Sequence, residues 1–309
     1  MPDQMKLYPL LDYSEPVRKA LLAKQPIVAL ETSIISQGLP YPYNYETALA
    51  LEESVKQYDC TPATIGILEG RIRIGLLPDE LKFFSSNKDI YKINSQDIPV
   101  AIAKGWNGAT TVSGTLACAK LASIEILATG GIGGIHRDYI QSHDMSGDLQ
   151  QIANTPAIIV CSGVKAILDI PRTLEMLESL GVIVGTYENE EFPAFWSRNS
   201  GNQTPLKLTS VEEIATIFRT TRQLQQARGF LVANPVPRSF EIPRDIIEPI
   251  IKESLAKARV QKIKGKALTP YLLNSIYNLS EGKSMTTNIE LVKNNAILAA
   301  QIAKKVASF

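Results

Sequence analysis

Leu127–Leu149 reads LATGGIGGIHRDYIQSHDMSGDL and is entered from the apolar run Ile124-Glu125-Ile126-Leu127. A brief β-like run, a polar crossing and a helix start near Ser146 make one strand-to-helix unit. The crossing holds four glycines between Gly130 and Gly134, both histidines of the chain, Arg137 and the aspartates Asp138, Asp144 and Asp148, with no apolar period. Glycines let backbone approach a ligand closely, and the charged groups supply proton-transfer capacity. The stretch reads as the floor of an active site; a flexible crossing loop is the plain alternative.

The same alternation extends both ways along the chain. Upstream, a helical segment around Val17 to Lys24 precedes a buried strand, Pro26 to Leu30, which delivers Glu31, Thr32 and Ser33 to its carboxyl end. Asn44 is expected to cap a helix to about Tyr58. Ala63 to Glu69 and Arg71 to Leu76 read as a hairpin or adjacent strands, Asp79 to Ser85 as a helix and Tyr91 to Asn94 as a strand. Ser95 is expected to cap a helix to Lys104, and Ala109 to Val112 leads into a small-residue helix. Downstream come a strand at Ala157 to Cys161, a helix from Thr173 to Leu180, a strand at Val182 to Tyr187 and a Ser210/Glu213 capping box. Gly229 to Pro235 has strand character, and the remainder is helical with breaks near Gly265 and Gly282. No low-complexity linker divides the chain. The expectation is one three-layer α/β/α domain over residues 1–309 with a central, largely parallel or mixed sheet.

Composition narrows the function. Of 309 residues, 45% are hydrophobic and 20% charged, as in an ordinary globular protein. With 32 basic against 31 acidic residues, no net field favours nucleic acid or an acidic membrane. Cys60, Cys118 and Cys161 are scattered without metal or disulfide spacing. The N-terminal stretch lacks a secretory pattern and no run is long enough to span a bilayer, so a reducing, cytoplasmic setting is expected.

In open parallel sheets ligands bind beyond the carboxyl ends of the strands. Glu31, Lys92, Thr129 to Arg137, Lys165 and Asn234 all fall there by this reading. The glycine run is not a dinucleotide fingerprint, since His136 stands where the third glycine belongs. Lys165 follows the small residues of Cys161-Ser162-Gly163. A lysine at a buried strand end can serve as an amine nucleophile, although most lysines merely reach solvent. Glu31 is either a general acid/base or the cap of a turn. Asp144 and Asp148 either complement the helix beginning near Ser146 or hold a hard ion such as Mg²⁺ or Mn²⁺. His136 with Arg137 suggests an anion pocket, and Lys92 adds a third positive charge. An amine, a carboxylic acid and an anion pocket together fit a phosphorylated sugar.

The residues also resemble a known family. VALETSIISQGLPYPYN from Val28, NGATTVSGT from Asn107, ATGGIGGIHR from Ala128, DMSGDL from Asp144, CSGVKAILDI from Cys161, ANPVP from Ala233, TPYLL from Thr269 and NIELVKNNAILA from Asn288 are similar to pseudouridine-5′-phosphate glycosidases over nearly the whole chain. The resemblance implies reversible cleavage of the C–C bond of pseudouridine 5′-phosphate to uracil and ribose 5-phosphate. It implies a covalent Lys165 adduct with C1′ of ring-opened ribose, Glu31 as proton donor and Asp144 holding Mn²⁺ through waters. By the resemblance Lys92, the backbone near Val112 and Ser146, Gly147 and Asp148 become substrate contacts, Asn288 faces uracil, and the assembly is a homotrimer; Thr129, His136 and Arg137 are expected as substrate contacts from their place at the strand end. Departures are the Thr32-Ser33 order, Gln37 where histidine is common, Asn94 and Gln96 after Lys92, Gly147 for alanine, and Asp138 to His143. Two alternatives stand: Schiff-base chemistry on another sugar phosphate, and a sugar-phosphate or nucleotide binding protein without turnover.

Overall fold

The computed structural model describes residues 9–263 and 265–308. Its strands are β1 (Leu11–Tyr13), β2 (Ile27–Glu31), β3 (Thr61–Leu68), β4 (Arg71–Ile74), β5 (Tyr91–Ile93), β6 (Gly108–Thr110), β7 (Ile126–Ala128), β8 (Ile135–His136), β9 (Ile158–Cys161), β10 (Leu168–Asp169), β11 (Ile183–Tyr187), β12 (Lys207–Leu208) and β13 (Phe230–Ala233). Seven of them, in the order β3-β2-β7-β9-β13-β11-β12, pair in parallel. Every residue of β2, β7, β9 and β13 is buried, which is why these strands read as unbroken apolar runs instead of alternating ones.

The sheet is mixed at one side. The β3–β4 hairpin is antiparallel, as the run through Glu69 and Gly70 predicts. Less expected is β6, which pairs antiparallel to β3 at Gly66 and Ile67, beyond the residues that pair with β2. Strands β2 and β6 therefore run toward each other and meet end to end. The junction is tied by Thr32, whose hydroxyl donates to the Ile65 carbonyl at 2.8 Å and accepts from the Thr110 amide at 2.8 Å. Because β5 runs parallel to β6, Lys92 is carried toward the carboxyl ends of the main strands from the opposite direction.

Helices cover both faces. The long helix Lys283–Ala307 lies along β2, β7 and β9 beside the helices Tyr43–Lys56 and Val211–Gln223, while Val112–Leu121, Gly147–Ala153 and Ile170–Ser179 form the other group. Their starts follow local chemistry: Thr111, Ser146, Asp169 and Ser210 each accept a backbone N–H of the first turn. Two expected caps do not hold. Asn44 lies inside its helix, and its amide donates to the Ile35 and Ser85 carbonyls at 2.7 and 2.8 Å. Ser95 starts a short 3-10 turn capped instead by Asn94, whose amide N–H is accepted by Asp97 at 3.0 Å. A layered α/β architecture with a mainly parallel sheet between helices is as expected.

Candidate active site

Glu31 ends β2 and is 6% exposed. Both its oxygens are engaged: the Ser33 and Thr129 hydroxyls donate to Oε2 and Oε1 respectively. Ser33 opens a single π-helical turn, Ile34–Gly38, a geometry that recurs at functional sites and turns the chain over the strand ends. The buried carboxyl is thus fixed in position at the mouth of the sheet.

Beyond β7 and β9 the chain continues as two adjacent extended segments. The Thr129 amide donates to Val160, Ser162 to Gly130, Ile132 to Gly163 and Lys165 to Ile132, all through backbone at 2.9–3.1 Å. Lys165 is thereby set on a braced segment directly beside the glycine run. Two glycines there are required by close approach: a Cβ on Gly131 would stand 2.6 Å from the Phe195 ring, and one on Gly133 would stand 2.2 Å from Ser146 Oγ. Phe195 itself has φ +62°, rare for a bulky residue and typical of strain held at ligand sites. Burial pushes the thiol of Cys161 up to about 12, so the cysteine four residues before Lys165 is no nucleophile at neutral pH.

The cleft over these ends has two lobes that share Ser33, Lys92, Lys165 and Thr269. The upper lobe holds Glu31, Gly130, Gly131, Phe195 and Asn288, with Pro270 and Leu273 of the helix Leu268–Leu279 closing over it. The lower lobe holds Val112, His136, Asp144, Ser146, Gly147 and Asp148. The N-terminus of the ten-residue helix Val112–Leu121 faces it, and with Lys92 and Lys165 this favours an anionic group. His136 Nε2 lies 3.8 Å from Asp144 Oδ2.

Asp148 is buried, lines the lower lobe and also ties two elements together. It accepts the Ser113 amide at 2.9 Å and the Gly133 amide at 2.8 Å, joining the helix Val112–Leu121 to the glycine run. The glycine amides are therefore partly spent on internal packing. Arg137 is the predicted contact that the fold does not bring into the cleft. Its guanidinium donates to Glu248 at 2.6 and 3.1 Å and to the Ala166 and Leu168 carbonyls at 2.6 and 3.3 Å. It lines a separate cavity with Glu248 and Arg244. The reading of Arg137 as an anion contact is corrected accordingly. Asn234 is also structural, its side chain donating to Asn295 and to the Asn294 carbonyl.

The roles of several residues of the site were not read from sequence. Ser33 holds Glu31. Asn295, fully buried on the helix Lys283–Ala307, donates to the Thr129 carbonyl at 2.8 Å and to Ser162 Oγ at 3.0 Å, binding the ends of β7 and β9 together. The polar pair Asn294-Asn295 just before the apolar run Ala296-Ile297-Leu298-Ala299-Ala300 was the available signal for it. Phe195 carried none, because the residues it meets, Gly131 and Ser162, are distant in sequence.

Comparison with known proteins places this arrangement. The family described as indigoidine synthase A-like protein matches residues 16–305. The pseudouridine-5′-phosphate glycosidase of Caldanaerobacter subterraneus subsp. tengcongensis is 50% identical, covering 95% of this chain and 95% of its own. The chain belongs to the pseudouridine-5′-phosphate glycosidase family. A further member of that glycosidase family, from Methylobacterium nodulans, is 49% identical over 96% of this chain and 88% of its own. Among solved structures similar to this family member, a prealnumycin C-glycosynthase in complex with ribulose 5-phosphate has a TM-score of 0.89 at 33% identity, covering 99% of this chain and 98% of the other. An indigoidine synthase A-like protein from Thermotoga maritima has a TM-score of 0.87 at 32% identity, with 96% and 97% covered. Among the described residues no helix is long and apolar enough to cross a membrane.

Proposed function

We propose that the chain reversibly cleaves the C–C glycosidic bond of pseudouridine 5′-phosphate to uracil and ribose 5-phosphate. The observation that carries this reading is the single cleft wall shared by Lys165 and Glu31, in a chain half identical to a glycosidase of that name. A C–C bond offers no heteroatom leaving group to protonate, so paired-carboxylate hydrolysis is poorly suited to it. An amine next to a carboxylic acid supplies another route.

The Lys165 amine bonds to C1′ as the C1′–O4′ bond opens, and O4′ takes the proton of Glu31. The adduct nitrogen returns a proton to the Glu31 carboxylate, and its freed lone pair then expels C5 of uracil, which takes that proton from Glu31 as the C1′–C5 bond breaks, leaving a C1′=N imine. Water adds to that imine, the amine departs and the aldehyde of ribose 5-phosphate is released. The Ser33 and Thr129 hydroxyls hold the Glu31 carboxyl in place throughout. Lys92 and the helix N-terminus at Val112, which line the lower lobe, would hold the phosphate.

The lower lobe also suits a hydrated Mn²⁺ ion. Among the described residues no three metal-ligating side chains gather, whereas Asp144 is 39% exposed and opens into the lobe. A lone carboxylate can retain such an ion through its waters, where it would add positive charge beside a phosphate. A homotrimer and a cytoplasmic location complete the reading; light scattering tests the first.

The experiment is to incubate the purified protein with pseudouridine 5′-phosphate and Mn²⁺ and measure released uracil. Release that is lost in Lys165→Ala is expected. No release with any divalent ion, or undiminished release from the variant, contradicts the proposal.

A further inference from the structure

Among the described residues, three buried side-chain polar atoms have no hydrogen-bond partner: Gln37 Oε1, Asn288 Oδ1 and Arg73 Nε. Arg73 Nε stands 3.5 Å from the Glu80 carboxylate, so an ion pair accounts for it. The other two are carbonyl oxygens, and both residues line the upper lobe above Glu31 and Lys165. They also line the neighbouring cavity that extends past Pro270 and Leu273, so they sit at the neck between the two. A buried acceptor without a partner is costly and calls for an explanation, and a donor on a molecule bound in the cleft supplies one.

The orientation of Gln37 is settled by its other end. Its Nε2 donates to the Ile90 carbonyl at 3.2 Å, so the amide cannot be reversed without setting two carbonyl oxygens against each other. The orphan atom is therefore an acceptor, and its ligand is a donor. Asn288 belongs to the helix Lys283–Ala307 and Gln37 to the π-helical turn, so two separate elements bring one acceptor each to the same neck.

We infer that Gln37 is a specificity-determining residue: with Asn288 it accepts the two N–H groups of a pyrimidine-dione base, one apiece. This rests on the proposed function and deepens it. Uracil joined to ribose through C5 keeps both N1–H and N3–H, whereas uracil joined through N1 keeps only N3–H. Two fixed acceptors therefore select the C-linked base, since an N-linked one leaves a buried carbonyl unpaired.

The test uses uracil, 1-deazauracil and 3-deazauracil, in which a C–H replaces one N–H without added bulk, as ligands of the enzyme loaded with ribose 5-phosphate. Wild type is expected to bind uracil at least about tenfold more tightly than either analogue. Gln37→Met is expected to lose about tenfold or more for uracil and for one analogue, and to bind the other, which already lacks the N–H that Gln37 accepts, within about twofold of wild type. Unchanged ribose 5-phosphate affinity shows that the variant is folded. Gln37→His, with one donor and one acceptor nitrogen, is expected to recover much of the discrimination. Equal loss for all three ligands, or no loss for any, overturns the inference. If wild type releases no uracil from pseudouridine 5′-phosphate, the functional reading fails first and the inference falls with it.

Discussion

Asn295 donates through Nδ2 to the carbonyl oxygen of Thr129 at 2.8 Å, and the hydroxyl of that same Thr129 donates to Glu31. One buried amide on the last helix is thus two hydrogen bonds from the proposed acid. Asn295 also accepts from Asn234 at 3.1 Å and donates to Ser162 at 3.0 Å. Replacing it by alanine leaves several buried partners unpaired at once. We expect Asn295→Ala to lose roughly 2–4 kcal/mol of stability in urea unfolding. Uracil release should fall by about tenfold or more through displacement of Glu31 and Lys165. A variant as stable and active as wild type would show that the clamp has no role.

The glycines at Gly133 and Gly147 should behave oppositely. A Cβ at Gly133 would stand 2.2 Å from Ser146 Oγ and 2.8 Å from Asp148 Oδ2, whereas one at Gly147 meets nothing nearer than Gln96 Oε1 at 3.7 Å. Gly133→Ala is expected to cost roughly 1–3 kcal/mol by overpacking. Gly147→Ala should change stability by less than about 0.5 kcal/mol. Thermal or urea denaturation of the pair checks the contrast.

Much of this was legible in the chain itself, and the reason is physical. Strands β2, β7, β9 and β13 are buried on both faces, so each appears as a short apolar run, and the residues after such runs are the strand ends that line the cleft. Glu31 and Lys165 follow directly from that pattern. What could not be read depends on pairing between distant segments. The head-on meeting of β2 and β6 joins Thr32 to Thr110 across 78 positions, and Arg137 is drawn from the site by Glu248 across 111. Local spacing carries neither fact. Asn44 misled because a side chain able to cap a helix is equally able to bridge two carbonyls from inside one.

Arg137 offers a direct check of its corrected role. Its guanidinium is shared among Glu248 and two backbone carbonyls, so Arg137→Met should lower stability by about 1.5–3 kcal/mol, the range for charged hydrogen bonds. The KM for pseudouridine 5′-phosphate should stay within about threefold, since no phosphate contact is lost. A large rise in KM with unaltered stability would restore Arg137 as an anion ligand.

Stability should also depend on pH through Glu52, away from the cleft. Burial holds its carboxyl above the ordinary 4.5, and the Thr64 hydroxyl and Lys56 ammonium oppose that only in part. The folded chain keeps this proton to higher pH than the unfolded chain does. The contribution is therefore fully present below 4.5 and lost as pH rises through the raised folded value. Glu52→Gln has no proton to lose, so its stability relative to wild type should be greater at pH 7 than at pH 4 in urea unfolding. An equal difference at both pH values would contradict this.

The claim on which the rest depends is that Lys165 bonds covalently to C1′ of the sugar. The most direct measurement is to mix the protein with pseudouridine 5′-phosphate, reduce with borohydride, digest, and locate the added mass by mass spectrometry. The expected result is a reduced ribose 5-phosphate adduct on the peptide containing Lys165, absent from Lys165→Ala. Adduct on Lys92 instead, or no adduct on a protein that releases uracil at full rate, would contradict the account.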